Sequence, residues 1–195
     1  LYGWIIQDPY SSQWGGTINL PFEVYQKQGG TLGVRLDTYA FSLLNKGLVR
    51  KQELDKYSEG NDERLVINIG TNLPNSIITT NIKNLDDAIF GLEINNDNTV
   101  LEIRYNTKQK ELAVGRKGGI NLTSITIKEE LKTIHLEVVI EDNIMYVILN
   151  NTYLLPVRLD TKLNSYDVNL YSTGRNVWFN DTNIYRLACK ENLHK

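Results

Sequence analysis

Residues 3 to 36 read GWIIQDPYSSQWGGTINLPFEVYQKQGGTLGVRL, and this stretch decides how the rest of the chain is understood. Trp4 and Trp14 flank a polar loop from Gln7 to Gln13. The tight Gly15-Gly16 step and the Leu20-Pro21 break follow, so the whole forms one hairpin-like β unit.

Period-two alternation dominates beyond residue 62. Leu65, Ile67 and Ile69 alternate with Val66, Asn68 and Gly70, and Leu101, Ile103 and Tyr105 alternate with Glu102, Arg104 and Asn106. Ile134, Leu136, Val138 and Ile140 alternate with His135, Glu137 and the less polar Val139. Turn signals recur between these runs, among them Asn95-Asn96-Asp97-Asn98, Lys117-Gly118-Gly119, Asp142-Asn143 and Asn150-Asn151. Short strands at this spacing predict an all-β fold, an antiparallel sandwich or barrel, and the expectation taken forward is a β-sandwich of jelly-roll or concanavalin-like type. The exception is the stretch after Leu36. Tyr39 to Leu44 suits one or two helical turns with Gly47 as a stop. Residues 51 to 63 are charge-rich and read as a solvated linker. The expected division is therefore a β unit over 1–37, a linker with a short helix over 38–62, and a sandwich over 63–195.

Composition narrows the function classes. The chain has 195 residues, 41% of them hydrophobic, which is enough to bury a core. Its net charge of −2 comes from 21 basic and 23 acidic residues, well interspersed, with no basic stripe to suit nucleic acid. No apolar run approaches the ~18 residues of a membrane span, and no polybasic or amphipathic helix suggests a membrane surface. No basic segment followed by an apolar core opens the chain, and a start at Leu1 rather than Met reads as a cut or processed terminus. One cysteine, Cys189, precludes a disulfide within the chain; with only His135 and His194 beside it, no metal site is expected. Asn occupies 22 positions and forms three sequons, at Asn121, Asn150 and Asn180, a number that chance accounts for. Secreted and cytoplasmic locations both fit.

An enzyme needs a nucleophile with its base, paired carboxylates or a metal cage. Neither histidine has a Ser or Cys neighbour in a nucleophile motif, no phosphate-binding glycine motif occurs, and no cofactor is expected. His135, on the polar phase of a strand, reads as a surface histidine, and Cys189 as a small buried side chain. Asp86-Asp87 and Glu129-Glu130 read as solvated carboxylates at turns. No catalytic residue is assigned. Aromatics carry the better signal, because sugar rings stack on Trp and Tyr while their hydroxyls need planar polar groups nearby. The loop between Trp4 and Trp14, with Asp8, Tyr10, Ser11 and Ser12, has that composition. Core anchoring is the alternative for both tryptophans and the stronger one for Trp4. Trp178-Phe179 lies within a strand, one ring in and one out, as packing requires.

These residues bring a family into view. Gly3-Trp4-Ile5-Ile6, a polar loop, Trp14-Gly15-Gly16 and Leu20-Pro21-Phe22-Glu23-Val24 resemble the end of the catalytic propeller in glycoside hydrolase family 32, the invertases, levanases, inulinases and related β-fructosidases. Gly30 to Leu36 and the Tyr39 to Leu44 segment resemble the closing strand and linker helix. Phe90 to Ile94, Leu101 to Asn106, Glu111 to Arg116 and Leu136 to Asn151 follow the order of that family's accessory sandwich. Two departures mark the chain as divergent: Phe22 stands where the family carries Arg after Pro21, and Glu141-Asp142-Asn143-Ile144-Met145-Tyr146 replaces a more charged run.

The resemblance implies that residues 1–37 are the last strands of a five-bladed propeller and that the sandwich follows. It implies a non-catalytic C-terminal part of an enzyme acting on sucrose or fructans. The catalytic Asp, the stabilising Asp and the acid/base Glu of the family map to no residue here, and Gln7-Asp8-Pro9 falls in the wrong place to be one of them. Retaining hydrolysis needs two carboxyls ~5 Å apart, and these are expected upstream of Leu1. Trp14, with Asp8 as a weaker companion, is the candidate for a substrate-side contact. The implied partners are a fructoside or fructan and the upstream propeller. Two other readings stay open at this point, a self-standing carbohydrate-binding sandwich and a purely structural one.

Overall fold

The computed structural model describes residues 4–6, 16–18, 20–37, 39, 41–42, 45–52, 56–57, 64–84, 86–96, 99–160 and 162–187. Its strands follow one another as β1 (Trp4–Ile6), β2 (Gly16–Ile18), β3 (Phe22–Gln26), β4 (Leu32–Leu36), β5 (Asn45–Gln52), β6 (Lys56–Tyr57), β7 (Leu65–Leu73), β8 (Ser76–Asn84) and β9 (Ala88–Asn96). They continue as β10 (Thr99–Asn106), β11 (Glu111–Arg116), β12 (Asn121–Thr126), β13 (Thr133–Glu141), β14 (Ile144–Leu149), β15 (Tyr153–Arg158), β16 (Tyr166–Gly174) and β17 (Val177–Leu187). Among the described residues no helix is long and apolar enough to cross a membrane.

Two antiparallel sheets form the sandwich. One has six strands in the order β12-β11-β10-β9-β16-β7; the other has β15-β14-β13-β8-β17-β5, with β6 pairing on β17. Because side chains alternate between faces, the inward phases of both sheets meet in one core. Leu92, Ile94, Ile103, Val114, Val168 and Leu170 come from the first sheet; Ile78, Ile82, Val138, Ile140, Val147 and Phe179 come from the second. These are the apolar phases of the alternating runs in the sequence. Phe179 is fully buried and Trp178 points outward, with Lys83 Nζ 5.7 Å from its ring centroid.

A second apolar cluster lies on the outside of the seven-stranded sheet. β3 and β4 form an antiparallel pair with Phe22 opposite Leu36 and Val24 opposite Val34. Phe22, Val34 and Leu36 lie over Ile77, Val139, Ile144, Tyr146, Ile148 and Leu187. This explains two irregularities of the sequence. Val139 breaks the polar phase of β13 because it faces the hairpin rather than water, and β14 is apolar throughout because both of its faces are covered. The Phe22 ring sits 5.3 Å from that of Tyr146, and burying a side chain of this size contributes about 2–3 kcal/mol.

Polar contacts fix the hairpin's position. Leu20 N donates to Tyr146 Oη (3.0 Å) and Val34 N to Asn151 O (2.8 Å). Lys27 Nζ donates to Asn150 O (2.7 Å) and also to Thr152 Oγ1. Asn150 and Asn151, at φ 52° and 50°, open the three-residue connection between β14 and β15, in the left-handed geometry that Asn tolerates. Gly33 lies against that turn: a Cβ there would stand 2.9 Å from Asn151 O.

The segment expected as a linker begins at Asp37. Asp37 Oδ1 accepts from Tyr39 N (3.0 Å) and Asp37 O from Phe41 N (2.8 Å), so residues 39, 41 and 42 take a helical turn capped by Asp37. It then supplies β5 and β6, which extend the seven-stranded sheet along β17. The charge-rich composition gave no sign of these strands.

Candidate carbohydrate-contact surface

Trp14 and Asp8, the two substrate-side candidates, lie outside the described residues, as do Cys189 and His194. For Trp4 the backbone is described, pairing with Ile18 between β1 and β2. The polar side chains that can be placed concentrate on the outer face of the six-stranded sheet.

Cross-strand register assembles them. In one row Asn68, Asn169, Glu93 and Glu102 stand side by side on β7, β16, β9 and β10. In the next row are Tyr171, Gly91 and Arg104. Gly91 leaves the middle of that row empty. Arg64, just before β7, places its guanidinium 4.0 Å from the Tyr171 ring centroid and donates through Nη2 to Glu93 Oε1 (2.5 Å) and Glu102 Oε1 (2.6 Å). Lys117 Nζ reaches Glu93 Oε1 at 2.7 Å, and Asn68 Nδ2 donates to Asn169 Oδ1 at 3.0 Å. Arg104 Nη2 donates to Asn121 Oδ1 at 2.5 Å, carrying the network across to β12. The carboxylates are buried, 3% and 6% exposed for Glu93 and Glu102, and the three cations above them are partly exposed.

The electrostatics of the pair do not suit proton transfer from Glu93. Glu93 and Glu102 are opposite one another, within the separation that a carboxylate pair needs. Yet one guanidinium nitrogen sits between them, and a general acid must hold a proton it can give up. Burial pushes the Glu93 carboxyl up, but the hydrogen bonds from Lys117 and Arg64 outweigh it and hold the group below the usual carboxylate range. Among the described residues Glu137 is the carboxyl that burial drives upward, and its cross-strand neighbours are Ile148 and Thr79, neither of them an acid. No group of three metal-ligating side chains comes together among the described residues.

His135 differs from the sequence reading. It is half-buried on the outer face of the seven-stranded sheet with Nδ1 2.9 Å from Asn81 Oδ1, and burial lowers its pKa. Among the described residues no nucleophilic side chain is hydrogen-bonded to its ring. Sequence reasoning missed the Arg64 network altogether. Glu102 and Arg104 were legible as the polar phase of β10, but Glu93 sits in an apolar run. Their meeting depends on register, which one strand's pattern does not encode.

No protein-family model and no curated protein sequence matches the chain. Solved structures do. A sucrose-6-phosphate hydrolase from Lactobacillus gasseri aligns over 96% of this chain and 38% of its own, at 12% identity and a TM-score of 0.65. A family 32 β-fructofuranosidase from Bombyx mori aligns over 89% of this chain and 33% of its own, at 15% identity and a TM-score of 0.58. The carbohydrate-binding module CBM66 from Bacillus subtilis aligns over 71% of this chain and 96% of its own, at 10% identity and a TM-score of 0.55. The chain thus spans well under half the length of the two enzymes and nearly the whole of the binding module. Its fold is the one these β-fructosidases contain within a longer chain, in agreement with the resemblance carried by residues 3 to 36 and the sandwich strands.

Proposed function

We propose that this chain is the non-catalytic C-terminal part of a family 32-like glycoside hydrolase acting on fructosides. In this reading residues 1–37 are the last strands of the catalytic propeller, 38–62 lead into the sandwich and add β5 and β6 to its seven-stranded sheet, and 63–195 form the rest of an accessory sandwich that braces the propeller. One observation carries it: β3 and β4 are fastened to the outside of the sandwich by an apolar seat and by the bonds of Leu20, Val34 and Lys27. A hairpin held this firmly gives a neighbouring sheet a rigid edge on which to continue. Trp14, together with Asp8, is the proposed contact to a fructosyl substrate.

The test is an activity comparison. The chain alone is expected to release no fructose from sucrose, levan or inulin, and the longer protein, with its upstream coding sequence included, is expected to do so. Hydrolysis by the chain alone, or none by the longer protein, overturns the proposal. In the longer protein Trp14→Ala is expected to raise KM; an unchanged KM removes Trp14.

A second reading, a self-standing carbohydrate-binding sandwich, is favoured by the match over nearly the full length of CBM66. Under it the chain alone binds fructan as tightly as the longer protein does.

A further inference from the structure

The edge of a sheet presents a row of unpaired backbone donors and acceptors, and proteins block such edges with charge, proline or a bulge. The six-stranded sheet ends on β12 and β7, and the seven-stranded sheet on β15 and on β5 with β6. β15 carries Pro156, which cannot donate. β5 carries Arg50 and Lys51. β7 starts beside Arg64, and its pairing with β16 breaks register twice. β12 has neither charge nor proline: the ten residues from Gly118 to Ile127 include none. Its register shift falls at Leu122, and from Thr123 to Ile127 the ladder with β11 is regular. Ile127 N donates to Lys110 O (2.7 Å). Antiparallel bonds alternate along a strand, so Ile125 and Thr123 also turn their backbone groups toward β11, while Ser124 and Thr126 turn theirs outward. Both of these residues are exposed. Beside them stand two exposed apolar side chains, Ile120 at 88% and Leu122 at 44%.

We infer that β12 is a self-association edge: it pairs antiparallel with β12 of a second copy of this chain, the two-fold axis falling within Ser124–Thr126. Charge selects that occupant. A two-fold contact brings each residue close to its own counterpart, and like charges directly opposite one another destabilise a strand pair. An uncharged edge suits its own copy, whereas β5 would set Arg50 and Lys51 against themselves. A partner drawn by opposite charge would find nothing on β12 to recognise. In this pairing Ser124 stands opposite or diagonal to Ser124 of the second copy. Ile120 and Leu122 lie along the Thr126 methyl and the aliphatic stem of Lys128 of that copy, which covers two apolar side chains that the isolated chain leaves in water. The six-stranded sheet becomes one continuous sheet across the dimer. Because the edge is short, the interface belongs with the small and transient ones.

Sedimentation equilibrium of this chain between about 10 µM and about 1 mM tests the pairing. The parent is expected to dimerise within that range, and amide exchange at Ser124 and Thr126 is expected to slow as concentration rises while exchange in β5 does not. Ser124→Lys and Ser124→Glu change an exposed side chain outside the core. Each alone is expected to weaken dimerisation about fivefold at low salt, because it opposes like charges across the axis. Mixing the two variants is expected to restore it, since each Lys then meets a Glu; recovery also shows that both variants are folded. A chain that stays monomeric throughout overturns the proposal, as does a dimer that neither variant weakens. A dimer that protects β5 instead of β12, or no recovery on mixing, overturns it too.

Discussion

Gly91 leaves no room for a side chain. It lies between Arg104 and Tyr171 at φ 157°, and a Cβ built there would stand 1.9 Å from the Ile103 carbonyl oxygen of the adjacent strand. That oxygen belongs to a central ladder and cannot move without breaking the pairing of β9 with β10. Gly91→Ala is therefore expected to cost about 3 kcal/mol or more, read as a lower guanidinium midpoint; an unchanged midpoint would mean that the ladder yields. Glu137 shows the opposite case, a side chain whose removal helps. Burial raises its pKa and no hydrogen bond compensates. With the folded value above the unfolded one, its contribution to stability is present below the ordinary Glu value of about 4.3 and is lost as pH rises past the folded value. Glu137→Gln is expected to stabilise the chain by up to about 1 kcal/mol at pH 7 and to match the parent near pH 4. A gain that persists at pH 4 would place the effect elsewhere. Neither residue announces itself in the sequence. Gly91 sits in an apolar run, and Glu137 follows the polar phase of β13 like any solvated carboxylate.

At the scale of elements, the decisive packing is that of the β3–β4 hairpin on the seven-stranded sheet. Phe22→Ala is expected to cost about 3–4 kcal/mol, because it empties the space over Tyr146 and Ile77. The loss should begin locally. Hydrogen exchange at Val34 and Leu20, whose amides bond across the interface, should rise well before that at Ile103 in the other sheet. Uniform acceleration would instead show hairpin and sandwich unfolding as one unit. Strands with one dry and one wet face, such as β7, β10 and β13, were legible because alternation reports that asymmetry. The hairpin was legible as a β unit, but its seat was marked only by Val139 and the unbroken apolar run of β14. β5 and β6 were not legible. β5 is an edge strand whose Leu48 and Val49 are both exposed, so burial imposes no pattern on it. The Arg64 network was hidden for a different reason, since it joins five separate segments by register alone.

The whole molecule should respond most sharply to alkali. Among the described residues the three tyrosines that burial drives up furthest, Tyr146, Tyr166 and Tyr171, are almost completely buried. Burial pushes Tyr146 up to about 12, against the hydrogen bond from Leu20, and drives Tyr166 and Tyr171 further above their ordinary value. A tyrosine whose folded pKa lies above its unfolded pKa of about 10 contributes its full stability below pH 10 and loses it as pH climbs toward the folded value. Each such group lowers the unfolding free energy by about 1.4 kcal/mol per pH unit in that window, so three together approach roughly 4 kcal/mol per unit. For a domain of ordinary stability that predicts cooperative unfolding before pH 12. The variant Tyr171→Phe separates this cause from general charge repulsion. The Tyr171 hydroxyl is buried with no hydrogen-bond partner among the described residues, and Arg64 packs on the ring rather than on the oxygen. Removing it should leave stability at pH 7 unchanged or slightly higher, because an unsatisfied polar group is lost. It should also reduce the alkaline slope by about a third. Guanidinium midpoints measured from pH 9 to 11.5 decide the matter. A flat profile in the parent, or a Tyr171→Phe profile parallel to it, would show that the buried tyrosines do not set the alkaline limit of this fold.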